Sequence, residues 1–74
     1  SFDPEKLEDK QEDIDLKQLA TDKFGVKLAK KFITICEKTN KKSIKHFDIN
    51  ELQQCKMLLE VGYTKEDIEE MFKN

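Results

Sequence analysis

Phe47-Asp48-Ile49-Asn50-Glu51-Leu52 reads as the opening of an α-helix. Asp48 is the N-cap, whose carboxylate takes a backbone N–H left without a partner in the first turn. Glu51, three residues on, reaches back to the cap amide, and Phe47 packs on Leu52 to fix the entry angle. The same arrangement returns at Tyr63-Thr64-Lys65-Glu66-Asp67-Ile68, with Thr64 as cap, Asp67 as reciprocal partner and Tyr63/Ile68 as the apolar pair. It occurs once more at Ile14-Asp15-Leu16-Lys17-Gln18-Leu19, with Asp15, Gln18 and the pair Ile14/Leu19. Each is followed by apolar residues at helical spacing. Three such starts predict an all-α chain: a small single-core bundle of three to four short helices.

Outward from these starts, the helix after Asp48 is expected over Ile49 to about Val61, with Gly62 just past its end in the C′ position. The helix after Thr64 is expected over Lys65–Lys73. A further helix, from about Phe24 to Thr39, gathers Leu28, Ala29, Phe32, Ile33, Ile35 and Cys36 on one half of its wheel. Lys27, Lys30, Lys31 and Lys38 fall on the other half. Gly25 either ends the helix that starts at Asp15 or sits in a bend of one helix running to Thr39. Asn40 to His46 reads as a polar, basic loop with room for one helical turn. Residues 1–12 are rich in acids, offer only Leu7 as an apolar anchor in the body of a helix starting at Pro4, and are expected to form a flexible acidic arm. Residues 13–74 then form the domain. Its expected core is Leu16, Leu19, Leu28, Phe32, Ile33, Cys36, Phe47, Leu52, Cys55, Leu59, Ile68 and Phe72.

With 74 residues, of which 36% are hydrophobic, the chain can build one small core and no second domain. No apolar run approaches the length of a membrane span, and no secretory signal is present, so an intracellular, cytoplasmic location is expected. The chain opens on Ser1 rather than Met, as expected of a domain excised from a larger protein, a processed product or a tagged chain. Charged residues make up 41% of the sequence. The net charge of −2 conceals a segregation: about −5 over residues 1–22, +7 over 23–46 and −4 over 47–74. Every cation is Lys. A basic segment without Arg attracts polyanions with little base specificity. The basic middle either faces its own acidic flanks or serves an external anionic partner.

Chemistry-bearing groups are few. Cys36 and Cys55 fall in apolar helical patterns and read as buried, free thiols. With His46 and Asp48 they are the only zinc candidates, at no recognised spacing, and no metal or cofactor is expected. A calcium loop around Gly62 fails because Met57, Leu59 and Val61 stand where oxygen ligands belong. Ser43, His46 and Asp48 are too close in sequence to surround a pocket. The paired carboxylates sit at helix starts or on solvated faces, so no enzymatic activity and no catalytic residue are expected.

Two local resemblances stand beside this reading. Leu19-Ala20-Thr21-Asp22-Lys23-Phe24-Gly25-Val26 resembles the turn of a helix-turn-helix, with one residue too many between Ala20 and Gly25. Leu58-Leu59-Glu60-Val61-Gly62-Tyr63-Thr64-Lys65-Glu66-Asp67-Ile68 resembles a helix pair of mercury-resistance-type regulators and is similar to the first turn of ubiquitin-associated domains. The regulators' wing and reading helix find no match in residues 1–47, and the third ubiquitin-associated helix would start after residue 74. A Gly between two helices, the second of them capped, produces such a string on stability grounds alone.

The expected function is a non-enzymatic protein-interaction module. The alternative is a nucleic-acid-binding accessory domain using a lysine face. The contact residues on that face would be Lys27, Lys30, Lys31, Lys38, Lys41, Lys42 and Lys45. Tyr63, Met71 and Phe72 form a second candidate protein contact. The partner would be another protein, the rest of a parent chain, a second copy or a nucleic acid, and not a membrane.

Overall fold

The computed structural model describes the backbone of residues 4–73 and the side chains of residues 13–73. Its helices are α1 (Pro4–Phe24), α2 (Val26–Asn40), α3 (Ile49–Met57) and α4 (Lys65–Met71). A 3-10 turn spans Ile44–His46, and a π-turn spans Leu58–Gly62. No strand occurs among the described residues, and no helix there is long and apolar enough to cross a membrane.

Two of the three capped starts form as read. The Glu51 amide donates to Asp48 Oδ1 at 2.8 Å, and the Asp48 amide donates to Glu51 Oε1 at 2.8 Å. The Asp67 amide donates to Thr64 Oγ1 at 3.1 Å, and the Thr64 amide donates to Asp67 Oδ2 at 2.9 Å. Phe47 and Leu52 are both buried, as is Ile68, with Tyr63 half-buried against the core.

The third start does not form. Asp15 lies inside α1, whose backbone already turns at Pro4 and so crosses residue 12, where the arm was expected to end. Residues 1–3 and the side chains of 4–12, on which the arm reading partly falls, lie outside the described residues. The physical reason for the continuous helix is the absence of Gly and Pro between Glu5 and Phe24. Each further residue adds an intrahelical bond, and a cap worth about 1 kcal/mol does not offset breaking that ladder. Leu16, Ala20 and Phe24 then form one buried stripe at i, i+4 and i+8. In this register Leu19 is 36% exposed and Ile14 is 57% exposed. Leu19 therefore leaves the expected core and the Ile14/Leu19 staple does not form.

Gly25 divides α1 from α2. Its φ of +89° with ψ 161° is a conformation that L side chains rarely adopt. The chain turns there, and residues on either side of Gly25 line one groove. The Phe24 and Phe32 rings meet at 5.6 Å across this corner. At the other end of α2, Lys41 takes φ 57°, and its amide closes on the Glu37 carbonyl. Glu37 Oε2 accepts from the Ile44 amide at 2.9 Å, which folds the 3-10 turn onto the helix end. Ile44 is buried there as a core residue.

Gly62 is not a left-handed C′ cap, since Gly25 is the glycine with positive φ. The helix after Asp48 ends instead in the π-turn, with the Tyr63 amide on the Leu58 carbonyl at 2.8 Å. A Cβ at 62 would sit 3.1 Å from Leu58 Cδ2, so that side chain would have to give by a few tenths of an ångström. The Lys23 ammonium of α1 donates to the carbonyls of Leu59 and Glu60, groups that a helix end leaves without amide partners. The core thus joins Leu16, Ala20 and Phe24 of α1 to Ala29, Phe32, Ile35 and Cys36 of α2. Ile44, Phe47, Leu52, Cys55, Leu59 and Ile68 complete it. Leu28, Ile33 and Phe72 are half-buried at its edge rather than within it.

Candidate interaction surface

The seven candidate lysines separate into two groups once the helices are packed. Lys31 Nζ lies 5.5 Å from the centroid of the Phe72 ring, and Lys38 Nζ lies 6.0 Å from the same ring. Lys42 Nζ pairs with Glu51 Oε2 at 2.9 Å. That ion pair, with the Asp48 amide, holds the Glu51 carboxyl below its ordinary value. These three lysines tie α2 and the turn after it to α4 and α3. Lys27, Lys30, Lys41 and Lys45 are exposed without such a contact, and Lys38 and Lys42 stay exposed while making theirs. Three of the seven candidate lysines therefore also serve the bundle, and Lys42 alone of them is paired with a carboxylate there.

Of the second candidate set, Tyr63 is half-buried, with its ring edge-on to Phe32 at 6.2 Å. Phe72 is half-buried beneath the two lysines, and Met71 is 50% exposed. These three side chains do not form one open patch: two support the core and one faces outward.

A different feature lies between the first two helices. Lys17 and Thr21 of α1 and Val26, Ala29, Lys30 and Ile33 of α2 line a groove of about 350 Å³. On α2 the residues recur at i, i+3, i+4 and i+7, so they occupy one stripe. Ala29, one of these, is almost fully buried. The Thr21 hydroxyl donates to the Lys17 carbonyl at 2.9 Å, within its own helix. Val26 is 62% exposed at one end. Ile14, one turn before Lys17 on the same stripe of α1, is exposed as well. Of these residues the sequence reading named Lys30 as a contact; it missed those of α1 because it placed a helix start at Asp15. A continuous α1 would have shown Ile14, Lys17 and Thr21 at i, i+3 and i+7.

Two further grooves are polar. One, of about 430 Å³, is lined by Thr34, Glu37, Lys38, Lys42 and Ser43. The other, of about 370 Å³, is lined by Lys31, Glu66, Glu69, Glu70 and Lys73. Both mix acids with lysines. Of the three, the α1–α2 groove alone carries no carboxylate in its lining.

Cys36 and Cys55 are free and buried side by side in the core, bridging α2 and α3. The hydrogen bond with Cys55 and the loss of water hold the Cys36 thiol well above the ordinary thiol range. Asn40 Nδ2 donates to the Cys36 carbonyl at 3.0 Å and lies 4.0 Å from Cys55 Sγ. Ser43 Oγ and the Asp48 carboxylate accept from the Lys45 and Glu51 amides, and His46 is exposed between them. No three His, Cys, Asp or Glu side chains gather into a metal-holding group among the described residues. No protein-family model, curated protein or solved structure matches this chain.

Proposed function

We propose that this chain is a non-enzymatic protein-interaction module that binds another protein through the outer side of α1 and α2. The observation that supports it is the contrast among the lysines. Lys31, Lys38 and Lys42 are engaged with Phe72 and Glu51, whereas Lys30 borders an open apolar groove beside the exposed Lys27. A phosphate backbone recruits a continuous run of cations through counterion release, and the pairing of Lys42 with Glu51 takes one charge from that run. Apolar surface next to unpaired cations suits a protein partner, where burial supplies affinity and charge supplies orientation.

The test has two arms. A protein captured by the chain is purified and rebound in isolation, and Lys27→Glu with Lys30→Glu is expected to weaken that binding. In parallel, labelled duplex DNA is titrated at rising salt. Tight, salt-sensitive DNA binding lost on changing Lys27, Lys30, Lys31 and Lys38 to Glu would replace this reading with the nucleic-acid one. Direct partner binding with no DNA binding at low salt supports it.

A further inference from the structure

We infer that the α1–α2 groove receives an amphipathic helix of the partner, with apolar side chains at helical spacing along one face and carboxylates on its flanks. This rests on the interaction-module reading and adds the chemistry of the partner.

Charge complementarity commits the groove to that occupant. Its apolar lining is Val26, Ala29 and Ile33. Its charged lining is Lys17 and Lys30, one on each helix. Asp13 lies 3.7 Å from Lys17 Nζ, a loose ion pair that leaves that lysine about half exposed. Lys30 is exposed and faces no carboxylate within the groove. A ligand seated between the two helices therefore meets an apolar strip with an ammonium on either side. A helix carrying anchors at i, i+3 or i+4, and i+7 places its apolar face on such a strip. Carboxylates on its flanks then meet Lys17 and Lys30, while a basic helix would meet like charge. Thr21 leaves no donor unpaired under the ligand, because its hydroxyl already donates to the Lys17 carbonyl.

The test uses the whole chain and a synthetic helix-forming peptide with Leu at every third or fourth position and Glu on both flanks. Binding is read by calorimetry and by amide shifts in NMR. Shifts are expected at Thr21, Val26, Ala29, Lys30 and Ile33. Val26→Glu and Lys30→Glu are each expected to weaken binding by about tenfold or more. Lys45→Glu, away from the groove, leaves it unchanged, and circular dichroism checks that each variant is folded. The same peptide with Lys in place of Glu is expected not to bind.

The inference is overturned if the acidic peptide fails to bind, if the basic one binds equally, or if the shifts map elsewhere. A concentration-dependent dimer that Val26→Glu dissociates also overturns it, and assigns the groove to a second copy of the chain. A purified partner whose binding ignores Val26→Glu and Lys30→Glu overturns the groove assignment while the interaction-module reading stands. Absence of any reproducible partner overturns both.

Discussion

The ammonium of Lys23 donates to the carbonyl of Leu59, so the last turn of α1 closes the end of the helix that starts at Asp48. A second donation, to Glu60 at 3.3 Å, spreads the same charge over the π-turn. Lys23→Met keeps much of the stem's packing but leaves those carbonyls to water. The expected cost is about 1 kcal/mol in urea unfolding, at the low end for a charged hydrogen bond because the site is partly exposed. An unchanged midpoint would show that the contact contributes nothing to stability.

Asp48→Ala removes a reciprocal cap and is expected to cost about 0.5–2 kcal/mol, with Thr64→Ala in the same range. Asp15→Ala, inside α1, removes no cap and is expected to cost less than either. Thermal or urea unfolding of the three variants checks the order. An equal loss at Asp15 would mean that its side chain contributes as much from inside α1 as a cap does.

Gly25→Ala places a Cβ on a backbone with φ +89° and ψ 161°. No atom stands within 4 Å of that Cβ, so the cost is backbone strain alone, about 1–3 kcal/mol. Gly62→Ala meets Leu58 instead, and shaving Leu58 to Ala in the same chain should relieve part of its loss. Unfolding midpoints of the single and double variants separate the two causes.

The Glu51 carboxyl is held below its ordinary value of 4.5, first by Lys42 and then by the Asp48 amide. A carboxyl lowered in the folded state stabilises above its unfolded value, and that contribution fades as pH falls through the folded one. Glu51→Gln should therefore lower stability at neutral pH and flatten the acid limb of the stability curve below about pH 4.5. Parallel curves for wild type and variant in urea titrations from pH 7 down to pH 2 would refute the linkage.

Cys36 and Cys55 are 1% and 2% exposed. A thiol reagent should modify them in the native chain only through opening of the bundle, at rates well below those of the unfolded chain. Both should accelerate together in sub-denaturing urea, because they share one contact between α2 and α3. Fast labelling of either alone in the native state would contradict the packing.

The amino-acid sequence determined the all-α class, the starts at Asp48 and Thr64, the buried faces of α2 and α3, and the break at Gly25 as one of two readings. Each is a local decision: a cap needs only an oxygen and an amide three residues apart, and a helical stripe needs only its own spacing. The tertiary structure decided the rest. Asp15 has the local pattern of a cap, but the unbroken ladder from Pro4 and the burial of Leu16, Ala20 and Phe24 outweighed it. Gly62 follows a helix as a C′ glycine would, but its close approach to Leu58 belongs to a π-turn that Lys23 closes from another helix. The lysines of α2 look alike in the sequence. Only packing separates Lys31 and Lys38, which cover Phe72, from Lys30, which borders a groove made by two helices at once. A surface shared between elements depends on how they cross, and no single stretch of chain carries that information.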